Sequence, residues 1–232
     1  MKYFGEGFSE GHKELSTIIR KKECVGQAKE LFLSIHEKLH LSTMAGGVEN
    51  ETDRLLQDLT RKEYGIMPGS KDETIAWVIW HIARIEDLTM NVLVGGREQV
   101  FNEEWMSRMH IHRKDTGNAL TDDEIMGLSG EVNIKELLNY RNEVGRRTRE
   151  IVSRLTDTDM RRKVRSEDLE RIHQEGGVTD QENSIWLLDF WGKKDVAGLL
   201  LMPPTRHVVL HLNSCGKWKE EIRKRKKFFR TI

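Results

Sequence analysis

The sequence predicts an all-α chain, and three observations carry that expectation. Helix breakers are scarce, with 3 prolines in 232 residues. Apolar residues recur at steps of three and four, the spacing that gathers them on one side of a helix. Several Ser, Thr or Asn residues are followed three positions later by Glu, the reciprocal capping pattern of a helix start.

The first long helix is expected from about Cys24 to Met44. Ala28, Phe32, Ile35 and Leu39 form its buried stripe, and Gly46-Gly47 supply the stop. The second is expected over 70–94, opened by Ser70 with Glu73 and closed by Gly95-Gly96. Its stripe reads Val78, His81, Ile85, Leu88, Val92. Residues 101–129 read as a connection with short helical pieces, one of them capped by Thr121 and Glu124. The third long helix is expected over 133–155, capped by Asn133 with Glu136 and buried along Ile134, Leu137, Leu138, Val144, Thr148, Ile151 and Leu155.

Residues 157–184 are polar and glycine-containing, a loop or short-helix excursion. The run "IWLLDFW" fits a short strand or a buried helix equally. Proline lacks an amide donor and fits a helix's first turn, so Pro203-Pro204 mark a helix end or start. The fourth helix follows over about 205–225, with an inward stripe of Arg206/His207, Leu210/His211, Ser214, Trp218 and Ile222. Four long helices with two lengthy connections describe a four-helix bundle elaborated by insertions, in one domain over 1–232.

The 38 basic and 38 acidic residues cancel, which leaves no net field for nucleic acid or an anionic membrane, and neither is expected as a partner. Basic clusters at 146–150 and 160–165 alternate with acids as solvated helix surface does; that at 223–230 reads as a basic terminus. Cys24 and Cys215 lie far apart, which argues against a disulfide framework and suits a reducing, cytoplasmic setting. The N-terminal residues lack the uninterrupted apolar core of a signal peptide, and no run approaches the ~18 apolar residues of a membrane span.

The histidines carry the functional content. His207 and His211 stand at i and i+4, about 40° and ~6 Å apart on a helix, a spacing from which two imidazoles can converge on one cation. His81 falls on the inward stripe of another helix. Buried imidazoles demand compensation. Periodicity leaves two forms of it open: a divalent ion, or separate hydrogen bonds from each ring to a carbonyl or carboxylate.

A second pair, His36 and His40, follows core positions Ile35 and Leu39 by one residue, which places it about 100° off the seam, toward the helix edge or solvent. His110 and His112 lie in a connection, and His12 and His173 have no supporting context. No glutamate follows His207 as in HExxH, since Val208 stands there. Ser214 has no acid partner in sequence, and Cys215, one turn beyond His211, is either packing or a substitute ligand. Glu86 and Asp87 are candidates to orient an imidazole or act as a base, against a surface role pairing with arginine. No catalytic residue is identified.

"AWVIWHIARIEDLTMNVLV" (76–94) followed by "MPPTRHVVLHLN" (202–213) resembles the DinB-like (DinB/YfiT) superfamily. The resemblance implies an up-down-down-up four-helix bundle, often dimeric, with a divalent-metal triad of one histidine on the second helix and a His-x-x-x-His pair on the last. By position these are His81, His207 and His211, holding zinc or nickel. Many members place a further histidine where this chain has Cys215. In that register His211 and Cys215 are the ligands, and the all-histidine set is preferred because it substitutes no ligand type. The family's characterised enzymes are metal-dependent transferases and isomerases that use low-molecular-weight thiols. The expected function is therefore a metal-dependent transferase or hydrolase acting on a thiol or other small molecule. The alternative is a non-catalytic stress or partner-binding bundle with structural histidines. A homodimer is left open.

Overall fold

The computed structural model describes residues 7–69 and 72–229, with the helical path alone for 226–229. The chain is all-α. Backbone pairing of the β kind is confined, among the described residues, to one isolated antiparallel bridge, Lys163 with Asp195.

The helices are α1 (Phe8–Ile18), α2 (Val25–Lys38), α3 (Glu51–Leu56), α4 (Arg61–Tyr64), α5 (Ile75–Asp87), α6 (Glu103–Met109), α7 (Asp122–Glu131), α8 (Ile134–Arg154), α9 (Asp157–Met160), α10 (Ser166–Gln174), α11 (Glu182–Gly192), α12 (Val196–Leu200) and α13 (Val208–Phe229). α5 continues as a π-helix over Leu88–Val94, and a second π-helical stretch, Met202–His207, leads into α13.

The expected long helices are present with shifted ends. α8 starts after the Asn133 cap as predicted, and Thr121 with Glu124 makes both capping hydrogen bonds at α7. α2 ends at Lys38, and Ser42–Met44 form a separate 3-10 turn before the glycines. The Ser70 cap lies outside the described residues. α5 begins instead at Ile75, where Thr74 Oγ1 accepts the Trp77 amide at 3.0 Å. "IWLLDFW" is helical, within α11. α1 and the short α3 and α4 were not anticipated. Asn50 caps α3 and Thr60 caps α4, each with an acid three residues on. That signal was readable in the sequence.

α5 organises the core. Every residue from Ile75 to Val94 is buried, so the helix is enclosed on all sides and not on a single stripe. It packs against α8 along its length and against α13 on another side, while α2 lies against α8. An enclosed helix must find partners for each polar group it carries.

Asp87 does so fully, although Trp80 Nε1 and Asn91 Oδ1 on the same helix have no partner. Its carboxylate accepts from Tyr140 Oη (2.6 Å), Arg84 Nη1 (3.1 Å), Asn91 Nδ2 (2.9 Å) and the amides of Val100 (2.8 Å) and Phe101 (2.9 Å). Arg84 also donates to the Lys114 carbonyl and lies 4.3 Å from the centroid of the Phe101 ring. This network ties α5 to α8 and pins the connection that follows Gly96. Asp87 is thus the buried partner of an arginine, with no contact to a histidine.

Replacing Asp87 with Ala strands the Arg84 charge in the core. A loss of about 3–5 kcal/mol is expected in urea unfolding, as for breaking one side of a buried pair. A loss below about 1 kcal/mol would show that the network does not hold the fold.

Candidate metal centre

The last helix is entered through a widened turn. Pro203 and Pro204 have no amide hydrogens, so ordinary i→i−4 bonds cannot form there, and the turn relaxes to π geometry that ends on His207. Beyond it, Val208, Leu212, Cys215, Trp218 and Ile222 form the buried side of α13, whereas Arg206 and Leu210 are exposed. The seam is therefore rotated from the predicted stripe. It leaves His207 and His211 at the edge of the core, each half-buried.

His81 reaches them from α5. One candidate ligand atom from each of the three rings lies within 4.8 Å of the others, and ring centroids are 4.6–5.1 Å apart. Trp77 stacks on His81 at 4.8 Å with an interplanar angle of 10°, forming an aromatic wall one turn earlier on α5.

Tautomers follow from the partners. His81 Nδ1 is 2.8 Å from the Thr116 carbonyl. A carbonyl only accepts, so Nδ1 carries the proton and Nε2 presents a lone pair. That lone pair faces His207 Nε2 at 3.1 Å. His207 Nδ1 has no hydrogen-bond partner, so with His81 Nε2 as acceptor the proton of His207 sits on Nε2 and is given to His81. In the other His207 tautomer both Nε2 atoms would offer lone pairs to one another, and a cation between them would take the place of that proton. Two nitrogens bound tetrahedrally at 2.0–2.1 Å stand about 3.3 Å apart, close to the spacing found.

The rings are also in the right charge state. Burial lowers His81 to about 4, against a smaller opposing effect of the Thr116 carbonyl. Burial and then the neighbouring His81 bring His211 to about 3, and burial with the other two rings holds His207 well below the ordinary value. All three are neutral near pH 7, as metal ligation requires.

Cys215 does not belong to this group. It is fully buried on α13, and burial pushes its thiol well above the usual range. Glu86 and Asp87 do not orient the triad either; the Thr116 carbonyl does. Being a backbone atom in a long connection, it left no trace in the sequence. His110 and His112 are exposed, in a cleft with Arg113 and Glu124. His12 bonds the Leu201 carbonyl, and His173 bonds Asp180.

The second histidine pair contradicts the expectation of an edge or solvent position. His36 and His40 are fully buried, and both converge on Glu86 of α5: Nε2 of His36 is 2.8 Å from Oε1 and Nε2 of His40 is 3.1 Å from Oε2. Thr148 Oγ1 donates to Oε1 at 2.7 Å. α2 is covered by α8 on the side where a two-element reading places water, which is why the helical phase misled.

His36, His40 and Glu86 have the composition of a metal site. Their contacts form without an ion, because each Nε2 faces a carboxylate oxygen. The ring edge of His40, Cε1 and Nδ1, lies 2.8 Å from where a Cβ on Gly145 would stand. Nδ1 thus abuts the α8 backbone with no acceptor, so the proton sits on Nε2 and is given to Glu86. Burial opposes ionisation of Glu86, but these imidazoles and their N–H donors hold its carboxyl well below the usual range. The guanidinium of Arg141, likewise buried, offsets the charge and donates to the Leu39 carbonyl at 2.5 Å.

Two expectations follow from this lock. Gly145→Ala should cost about 1–3 kcal/mol by displacing the His40 ring, and most of that cost should vanish in a His40→Ala background; equal costs in both backgrounds would refute the contact. Acid should also weaken the fold. Burial, joined by Arg141, lowers His40 to about 3 in the folded chain, so between pH 6.5 and 3 the unfolded chain binds a proton that the folded one refuses. Glu86, depressed when folded, adds loss of the same sign below about pH 4.5. Melting temperature should fall steadily from pH 7 to 4, with a shallower slope in His40→Gln; identical slopes would exclude His40 as the source.

The sequence pattern of the DinB superfamily matches residues 47–201. The matched span holds α5 with His81 and stops six residues short of His207, so the pair on α13 rests on the geometry above. A comparison with curated proteins gives no match. The match covers more than half of the 232 residues, and this chain belongs to the DinB superfamily.

Proposed function

We propose that the protein binds one divalent metal ion through His81, His207 and His211 and is a metal-dependent enzyme for a small-molecule substrate, a transferase or hydrolase. The observation that carries this reading is the facing pair of Nε2 atoms at 3.1 Å, backed on the His81 side by a carbonyl that fixes the tautomer. Imidazole donors suit zinc or nickel. We take α2, α5, α8 and α13 as the up-down-down-up bundle of the family.

Such an ion, when bound, lowers the pKa of a water or thiol placed on it and polarises an oxygen beside it. The protein's part is to hold three neutral rings, with Trp77 as an apolar wall. His207 and His211 are partly exposed, so the α13 side is the one on which the group meets solvent. Catalytic zinc sites pair three protein ligands with one open position in this way. A low-molecular-weight thiol is the co-substrate that family membership suggests, and a cytoplasmic homodimer is the form that we take to act.

Metal analysis of protein made without a histidine tag tests the reading. One divalent ion per chain is expected, lost in His81→Ala and His211→Ala and retained in Cys215→Ala and His36→Ala. A metal-free protein that binds no stoichiometric ion after reconstitution would sink it. Loss of binding in Cys215→Ala would move the site one turn along α13.

A further inference from the structure

A groove of about 770 Å³ runs between α1 and α13, on the side of α13 that carries Arg206, Leu210 and Lys217. We propose that it binds a small organic anion with an apolar body. The site is separate from the metal centre and is argued without it.

Charge and polarity of the lining carry the proposal. Lys13, Arg206 and Lys217 line the groove together, and among the described residues no carboxylate does. These three side chains make no ion pair or hydrogen bond among the described residues. Arg206 stands apart in this, because the exposed arginines elsewhere are bonded, as Arg165 is to Asp168, Arg225 to Glu221 and Arg61 to the Gly130 carbonyl. Three unpaired cations around one concavity raise the local concentration of anions. Between them lies apolar surface: Phe8 from α1, and Val209 and Leu210 from α13. Leu210 is 55 % exposed, which for a leucine at the centre of a groove leaves apolar area to be covered. The volume is within the range of small-molecule sites.

A second copy of the chain is a poorer occupant. A two-fold contact would set the cationic patch against itself, and like charges juxtaposed across an interface are costly. A neutral ligand would use Leu210 but leave the cations without purpose.

The probe is 8-anilinonaphthalene-1-sulfonate, which joins an apolar ring system to an anion, titrated by fluorescence into the folded protein with metal and with metal removed. Saturable binding of one probe per chain is expected in both forms, competed by decanoate and not by decanol. In the Arg206→Ala/Lys217→Ala variant, affinity should drop at least about tenfold, as for loss of a charge-assisted contact, and Leu210→Glu should weaken it similarly. Circular dichroism melting confirms that each variant is folded. The proposal is overturned by non-saturable binding, by unchanged affinity in the double variant, or by equal competition from decanol. It is equally overturned if the wild type sediments as a dimer that Leu210→Glu dissociates, since the groove is then an interface.

Discussion

The hydrogen bond from His81 Nδ1 to the Thr116 carbonyl fixes which nitrogen of that ring is free, and the chemistry of the core follows from it. The carbonyl is itself held firmly. The Thr116 amide bonds the Gly177 carbonyl, Asp115 accepts the Gly117 amide, and Trp77 donates its indole N–H to the Gly117 carbonyl. Gly117 has a φ of +78°, and a Cβ there would stand 2.8 Å from the Trp77 indole nitrogen. Only glycine meets both conditions without strain. The long connection after α5 is therefore part of the site. It returns to the bundle to set the tautomer of His81, the outer-shell role that the proposed metal centre would depend on.

Two histidine pairs at the same spacing flank α5, and the atoms they face distinguish them. At one, nitrogen faces nitrogen, a spacing that a shared proton or a cation can fill. At the other, nitrogen faces the oxygens of Glu86, and hydrogen bonds complete it. Residue composition does not separate the two; the atoms that each ring faces do. The consequence is a division of labour along one buried helix. His81 looks toward α13 and chemistry, while Glu86, five residues on, binds α2 and α8.

Much of the fold was legible in the sequence because capping pairs and apolar steps are local. α8 with its Asn133 cap and the α7 capping box needed no knowledge of distant residues. The triad was also legible, since His81 and the His207/His211 pair carry their spacing openly. What escaped depends on the third dimension. The burial of His36 and His40 comes from α8 covering a face that helical phase alone assigns to solvent. α5 shows no single stripe, since it is buried throughout. The α13 seam runs through Val208, Leu212 and Cys215 and not through His207, His211 and Ser214, and it rejoins the predicted stripe at Trp218 and Ile222. Glu86 found its partners on α2 and α8, and Asp87 found Tyr140 and the loop after Gly96, all distant in sequence, while only Arg84 and Asn91 stand within a turn of Asp87.

The central claim is that three imidazoles and no sulfur surround one ion. X-ray absorption at the metal edge of the zinc-loaded protein tests this most directly. The account predicts a first shell of nitrogen and oxygen at 2.0–2.1 Å with the outer scattering of three imidazole rings. A sulfur scatterer near 2.3 Å would contradict it and transfer ligation to Cys215, and a shell lacking imidazole scattering would dismiss the triad.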